Sequence, residues 1–228
     1  MHKRRSLALG LFALFALAFA LVLAGCGSSA PSGSTPADEP TADAGSAEPA
    51  AEGDYSTGIH HARIVVRDYG TIEVELNAVI APITVQNFAD LANAGFYDGL
   101  TFHRIISGFM IQGGSSTGTG MPGDEPTIVG EFEANGHPNT IAHVRGVISM
   151  ARSQDYDSAS TQFFIMHEDA PSLDGQYAAF GRVIEGIEAV DTIAAVRTDY
   201  NDKPRTPQVM KKVTVETFGV AYPEPEKV

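Results

Sequence analysis

Apolar and polar residues alternate in several short stretches of this chain, and a period of two is typical of β-strands that bury one face. The clearest stretch, residues 71–76, places isoleucine, valine and leucine at every second position. An Asp-Tyr-Gly turn at residues 68–70 precedes it, and the apolar residues 64–66 precede the turn, so this region predicts a β-hairpin. The same alternation over residues 212–216 predicts a further strand.

Two other segments repeat their apolar residues at helical spacing. The first begins near Pro82, which suits the opening turn of a helix, and ends near Gly95. The second covers residues 187–193. Short apolar runs alternate with glycine-rich turns at residues 101–106, 109–112, 146–151, 162–166 and 179–183. Many short strands with two well-separated helices predict a mainly β protein, a closed antiparallel barrel capped by two α-helices.

The N-terminal segment, residues 1–25, has the layout of a secretory signal peptide. A basic run at residues 2–5 precedes an apolar stretch at residues 7–24, which is also about long enough to be a single transmembrane anchor. Cys26 decides between the two, because the only cysteine of the chain ends a Leu-Ala-Gly-Cys run that resembles the bacterial lipobox, where the thiol is lipidated. We therefore predict a lipid-anchored, extracytoplasmic protein of a bacterial cell envelope, with Cys26 as its lipidation site.

Composition divides the rest of the chain into three parts. Apart from Tyr55, residues 27–57 are small, polar, acidic or proline, and they offer too little apolar surface to offset the entropy of ordering. We therefore predict a disordered tether that, together with the lipidated cysteine, spans residues 26–57. Residues 58–220 are enough for one domain with its own core, and residues 221–228 are predicted to form a frayed tail.

The balance of charge limits the partners of the protein. Its formal net charge is −13, and the predicted signal peptide contains Lys3, Arg4 and Arg5 but no acid, so the mature chain is more acidic still. Phosphate backbones and anionic lipid surfaces repel such a protein. We therefore expect no nucleic-acid partner and membrane attachment through acyl chains alone, with a monomer as the default state.

Three common chemistries find little support in the sequence. Residues 118–123 match the letters of a dinucleotide-binding glycine loop, but Pro122 and the Gly-Asp-Glu-Pro run after it predict a surface loop. The histidines form no ligand pair on one helix face and no cysteine joins them, so a metal site is not expected. The serines and aspartates of residues 153–158 are typical of a polar loop, which leaves a hydrolase with little support.

Residues 102–114, Phe-His-Arg-Ile-Ile-Ser-Gly-Phe-Met-Ile-Gln-Gly-Gly, carry the most distinctive chemistry. This stretch places one guanidinium and one amide among large apolar side chains, without a cysteine, a serine–base pair or a carboxylate pair. Such a set suits a reaction that breaks no covalent bond, and rotation about an X-Pro peptide bond is one example. Two further segments join it, residues 146–152 closed by 160–165, and residues 173–181.

Together these segments resemble the cyclophilin family of peptidyl-prolyl isomerases. The pattern FHRIIxGFMxQGG is followed by SMA, QFFI and LDGxxxxFG, and the resemblance covers about residues 60–218. It implies a closed eight-stranded antiparallel barrel with two capping helices, a rotamase activity on proline-containing polypeptides, and no cofactor. Arg104 is then the donor to the prolyl nitrogen, and Gln112 positions that arginine and contacts the substrate backbone. The resemblance assigns substrate binding to His103, Phe109, Met110, Ala151, Arg152, Gln162, Phe164, Leu173 and Tyr177.

Three positions depart from common members of the family. Arg152 replaces a common asparagine, Tyr177 replaces a frequent histidine, and Ser172 replaces the tryptophan of many eukaryotic members, which implies weak sensitivity to cyclosporin. The leading hypothesis is a lipid-anchored isomerase that assists the folding of exported polypeptides. A proline-peptide-binding chaperone and a scaffolding lipoprotein are the alternatives, but neither needs Arg104 and Gln112 beside a complete apolar pocket.

Overall fold

In a computed structural model of the protein, residues 58–216 are described. The predicted signal peptide, lipidation site, tether and C-terminal tail lie outside these residues. Neither α-helix of the described part is long and apolar enough to cross a membrane.

Eight antiparallel strands form the closed barrel that the sequence predicted. The strands are β1 (Ile59–Val66), β2 (Gly70–Asn77), β3 (Thr101–Ile106), β4 (Met110–Gly113), β5 (Val147–Met150), β6 (Phe163–Met166), β7 (Ala179–Glu185) and β8 (Gln208–Glu216). Their order around the barrel is β1-β2-β7-β5-β6-β4-β3-β8, so β8 pairs with β1 and closes the sheet. Two helices, α1 (Pro82–Asn93) and α2 (Ile187–Ala194), complete the predicted fold.

The β1–β2 hairpin follows directly from the alternation in the sequence. Ile72, Val74 and Leu76 of β2 are completely buried, while the residues between them are partly exposed. Asp68 and Gly70 have φ values of +68° and +92°, the left-handed geometry that a tight turn requires and that aspartate and glycine tolerate. The hairpin is therefore specified locally, by residues close together in sequence.

Helix α1 depends on a residue from a distant part of the chain. The carboxylate of Glu131 accepts hydrogen bonds from the backbone N–H of Ile83 (3.0 Å) and of Thr84 (2.8 Å), and from the Thr84 hydroxyl (2.6 Å). These N–H groups belong to the first turn, where no helical carbonyl is available to them. Glu131 itself is buried, so this negative charge both caps the helix and is satisfied by it.

Strands β4 and β6 divide their side chains between two apolar clusters. Ile111, Phe163 and Ile165 point into the barrel and join its main core. The alternate residues Met110 and Phe164 point the other way and form a second, smaller cluster on the outer face. The two adjacent phenylalanines therefore have different surroundings, and the outer cluster prepares an apolar surface beside β4.

Candidate active site

The strand register aligns three predicted site residues in one row across the outer face of the sheet. Arg104 of β3 lies opposite Gln112 of β4, and Gln112 lies opposite Phe164 of β6. Directly opposed residues share a face and lie within side-chain reach of one another. A guanidinium, an amide and an aromatic ring therefore lie side by side, although they come from separate segments of the sequence.

An apolar hollow of about 170 Å³ lies beside this row. Nine residues line it, all of them predicted: Arg104, Phe109, Met110, Gln112, Ala151, Arg152, Phe164, Leu173 and Tyr177. Met110 and Phe164 are almost fully buried and belong to the outer cluster, and Phe109, Leu173 and Tyr177 pack against it. The hollow can therefore receive a small apolar ring at a place where a cation and an amide are within reach.

Hydrogen bonds hold the polar side of this row. Nη1 of Arg104 lies 3.5 Å from Oε1 of Gln112, and Nε2 of Gln112 donates to Oε1 of Gln162 at 3.1 Å. Gln162 donates in turn to the carbonyl of Gly120. The structure thus places Gln162 behind Gln112 and outside the apolar hollow, where it can orient the amide.

The side chain of Arg104 has an acidic neighbour that the sequence did not indicate. Its Nε lies 3.5 Å from Oδ2 of Asp202, and both side chains are a little over two-fifths exposed. Asp202 belongs to the loop between α2 and β8, far from β3 in sequence. No local motif links the two residues, because only the closure of the barrel brings that loop beside β3.

His103 is not a member of the apolar hollow. Its side chain is buried, and neither ring nitrogen has a hydrogen-bond partner. Burial, followed by the nearby charges of Arg104 and Lys203, lowers the pKa of His103, so it is neutral at pH 7. A Cβ on Gly120 would lie only 3.0 Å from Nε2, which shows how closely the glycine loop covers this ring. Its predicted contact with substrate remains a prediction.

Arg152 forms the wall between the hollow and a second depression of about 250 Å³. Its guanidinium carbon lies 5.0 Å, 4.9 Å and 4.7 Å from the ring centroids of Phe132, Tyr156 and Tyr177. It also donates to the carbonyl of Gln176 at 2.8 Å and 3.0 Å. These cation–π contacts and hydrogen bonds fix a long side chain that would otherwise be mobile. Sequence reasoning identified Tyr177 but missed the other two rings.

A serine–histidine–aspartate network supports the hollow from behind, with its serine and histidine buried and its aspartate exposed. Nδ1 of His143 lies 3.0 Å from the Asp174 carboxylate, and Nε2 lies 3.0 Å from the hydroxyl of Ser149. His143 and Ser149 are 1% and 0% exposed, so the imidazole and the serine hydroxyl are out of reach of a substrate. Instead, the network holds the turn that carries Leu173 and Tyr177 against Phe164, whose ring stacks on His143 at 6.1 Å.

The pKa values of this network follow from its contacts. Hydrogen bonding from the backbone and then the ring of His143 lowers the pKa of Asp174. Burial lowers the pKa of His143, and the neighbouring carboxylate of Asp174 offsets part of that effect. At neutral pH the network therefore consists of an ionised Asp174, a neutral imidazole and a serine hydroxyl.

The glycine loop at residues 118–123 lines two surface depressions beside the site. Residues 118–123 form turns and bends and open no helix, as predicted for a surface loop. Within residues 58–216, no group of three histidine, cysteine, aspartate or glutamate side chains is arranged to hold a metal ion. Ser172 is exposed in a short 3₁₀-helix, Pro171–Leu173, and does not line the hollow.

The fold and the site define a class of protein: a closed β-barrel with an apolar hollow beside an arginine and a glutamine on its outer face. Comparison with known proteins identifies the family within this class. Residues 61–215 match the family model described as "Cyclophilin type peptidyl-prolyl cis-trans isomerase/CLD". The chain therefore belongs to the cyclophilin-type peptidyl-prolyl cis–trans isomerases, and it is an enzyme of that activity. Cyclophilins act on proline-containing polypeptides.

Two bacterial relatives show the extent of the similarity. The chain is 43% identical over 152 residues to peptidyl-prolyl cis-trans isomerase B of Bacillus subtilis. This match covers 67% of this chain and 95% of that protein. It is 40% identical over 156 residues to peptidyl-prolyl cis-trans isomerase A of Dickeya dadantii, covering 64% and 80% of the two chains. Nearly the whole length of the first relative thus corresponds to the barrel.

A solved structure has the same fold. The crystal structure of a cyclophilin-type isomerase from Cryptosporidium parvum superimposes with a TM-score of 0.64 at 30% sequence identity. The match covers 71% of this chain and 99% of that one. This similarity agrees with the eight-stranded barrel and the two helices described above.

Proposed function

We propose that this isomerase acts on X-Pro bonds of exported or cell-envelope polypeptides, assists their folding, and uses Arg104 as its catalytic donor. The observation that carries the catalytic part is the row formed by Arg104, Gln112 and Phe164 beside the apolar hollow. The extracytoplasmic part is supported by the signal-like segment and by Cys26 in its lipobox-like run.

The chemistry requires a group that interacts more strongly with the twisted amide than with the planar one. A planar X-Pro bond is held by resonance, and the rotation barrier of a peptide bond is ~18–20 kcal/mol. On twisting, the prolyl nitrogen becomes pyramidal and its lone pair becomes an acceptor. The guanidinium of Arg104 can donate to that lone pair, and it remains charged at any physiological pH. Such an interaction lowers the barrier without a covalent intermediate.

The apolar residues of the hollow hold the ring while the bond rotates. Met110, Phe109 and Phe164 would contact the pyrrolidine ring, and Leu173 would close the hollow from the opposite side. The second depression, on the far side of Arg152, would accommodate residues of the peptide before or after the proline. A cyclophilin-type isomerase from Cryptosporidium parvum, 31% identical, was crystallised in the presence of the dipeptide Ala-Pro, so a short Ala-Pro peptide is a suitable probe for this chain.

An isomerisation assay on purified protein tests the catalytic role of Arg104. Arg104→Ala should lower kcat by about 10²–10³, the effect of removing one preorganised donor. Arg182→Ala is the matched control, because Arg182 is an exposed arginine that pairs with Glu75 away from the hollow. It should leave the activity unchanged. An Arg104→Ala variant as fast as wild type, but still able to bind proline peptides, would instead support a binding chaperone.

Membrane fractionation tests the proposed location. Cys26→Ser should block lipidation, so the variant should leave the membrane fraction or accumulate with its signal peptide uncleaved. Tyr55→Ser, a change in the predicted tether, should leave both processing and attachment intact. A Cys26→Ser protein that is processed and membrane-bound like the wild type would rule out the lipid anchor.

A further inference from the structure

The loop between α2 and β8 lies beside β3, the strand that carries Arg104, and is held by hydrogen bonds between its own residues. The backbone N–H of Asp199 donates to the carbonyl of Lys203, and the N–H of Arg205 donates to the carbonyl of Arg197, each at 2.9 Å. The Asp199 carboxylate also accepts from the backbone N–H of Asn201 (2.8 Å) and of Lys203 (3.0 Å). The course of this loop is thus fixed by contacts of its own backbone.

Asp202 connects this loop to the strand that carries Arg104. Its carbonyl accepts a hydrogen bond from the backbone N–H of Ile105 at 2.8 Å, the residue directly after the arginine. Asp202 has a φ of +62°, one of two non-glycine residues with a positive φ in residues 58–216. Aspartate tolerates this left-handed geometry in a tight turn, as at Asp68, so the main-chain conformation is compatible with the hydrogen bond to Ile105.

The carboxylate of Asp202 lies against the guanidinium of Arg104. Oδ2 is 3.5 Å from Nε, while Gln112 approaches the same guanidinium at Nη1. The carboxylate at Nε and the amide oxygen at Nη1 restrict rotation of the planar group, and an arginine has five N–H donors in a rigid fork. Contacts at Nε and Nη1 therefore leave other N–H groups available for a substrate.

We propose that Asp202 is a positioning residue, which holds the guanidinium of Arg104 in the orientation that the twisted prolyl amide needs. This inference rests on the proposed role of Arg104. Because Asp202 acts on a group that interacts mainly with the transition state, its loss should lower kcat and leave KM nearly unchanged. Both side chains are about two-fifths exposed, so the expected loss is about fivefold, in keeping with an exposed ion pair.

Asp202→Asn is the test variant, because it keeps the size of the side chain and the backbone hydrogen bond to Ile105 and removes the charge. Glu185→Gln is its control: Glu185 is an exposed acid at the end of β7 that does not line the hollow or the depressions beside it. Exchange NMR on an Ala-Pro peptide gives affinity and isomerisation rate separately. The ¹⁵N-edited spectrum reports the solvent exchange of the Arg104 Nε–H directly.

If Asp202 positions Arg104, the variants should give the following results. In Asp202→Asn, kcat should fall about fivefold, the Arg104 Nε–H should exchange faster with water, and the melting temperature and peptide affinity should stay at the wild-type values. In an Arg104→Ala background, measured at high enzyme concentration, the same change should have no further effect. Glu185→Gln should match the wild type in every measurement.

Other outcomes separate this inference from the proposed mechanism. If Arg104→Ala is slow but Asp202→Asn equals the wild type in rate and in Nε–H exchange, positioning by Asp202 is wrong and the role of Arg104 stands. Positioning by Asp202 is also wrong if Asp202→Asn lowers the rate by the same factor in the Arg104→Ala background as in the wild type. It is wrong, too, if the rate falls only because the melting temperature falls. If Arg104→Ala is as fast as wild type, the mechanism itself is wrong, and positioning has no basis.

Discussion

Phe163 and Phe164 are neighbours in sequence, and the structure predicts that replacing each by alanine has a different consequence. The Phe163 ring is completely buried inside the barrel, with edge contacts to Phe88, Tyr97 and Phe102 at centroid distances of 5.4 Å, 5.5 Å and 6.1 Å. Phe164 lies at the base of the hollow, still 5% exposed. One change should therefore act on stability and the other mainly on substrate.

The magnitudes follow from these surroundings. Phe163→Ala leaves a cavity in a closed core, which typically costs about 3–5 kcal/mol, and about 2–4 °C is lost per kcal/mol in a domain of this size. We expect its melting temperature to fall by roughly 6–20 °C. Phe164→Ala removes the ring against which a proline would pack, and the apolar contact of one such side chain is worth about 1.5–3 kcal/mol. Activity should then fall by roughly 10- to 150-fold.

Thermal denaturation by circular dichroism and a protease-coupled isomerisation assay in the cold measure the two effects separately. Phe163→Ala should retain near-wild-type kcat/KM per folded molecule, whereas Phe164→Ala should lose activity while still folded at the assay temperature. The reasoning would be refuted if Phe164→Ala kept full kcat/KM, or if Phe163→Ala melted at the wild-type temperature.

Two further predictions concern the supports of the fold. Glu131→Gln should lower the melting temperature by several degrees with unchanged activity, because the N–H groups of Ile83 and Thr84 lose a charged acceptor, at about 1–3 kcal/mol. An unchanged melting temperature would contradict this capping role. Burial lowers the pKa of His103 and of His143 below 6.5. The unfolded chain therefore binds more protons than the native one just below pH 6.5, so the melting temperature should fall from about pH 7 to about pH 5. A melting temperature that stays constant or rises as the pH is lowered would contradict this prediction.

Local patterns predicted the strands and helices well where the cause is local. The run at residues 101–106 coincides with β3, and Pro82 begins α1 as expected from its fixed φ angle. Where pairing between strands sets the end of a strand, the sequence predicted that end less accurately. Strand β7 was predicted over residues 179–183 but extends to Glu185, since that residue pairs with Glu73 of β2. A distant partner of this kind leaves no trace in a local pattern.

In the candidate site, too, the sequence predicted some residues and missed others that are identified only by their contacts in the fold. The motifs indicated all nine residues of the hollow through the family resemblance. They did not indicate Asp202, the network of His143, or the rings of Phe132 and Tyr156 beside Arg152. The contacts of Asp202 with Arg104 and of Asp174 with His143 join segments that are far apart in sequence, and none of these contacts belongs to a recognisable local motif. Only their distances and burial distinguish them.

The sequence by itself determined which residues alternate, where the helices begin, and which cation and amide accompany the large apolar side chains. These properties depend on the local chain and on residue chemistry. The tertiary structure decided which of two adjacent phenylalanines enters the core, because the side-chain period of a strand fixes opposite faces but not which face is inside. It also decided that Arg104 meets Gln112 and Asp202 at once. Closure of the barrel brings β3, β4 and the loop before β8 together, and that contact is a property of the whole fold.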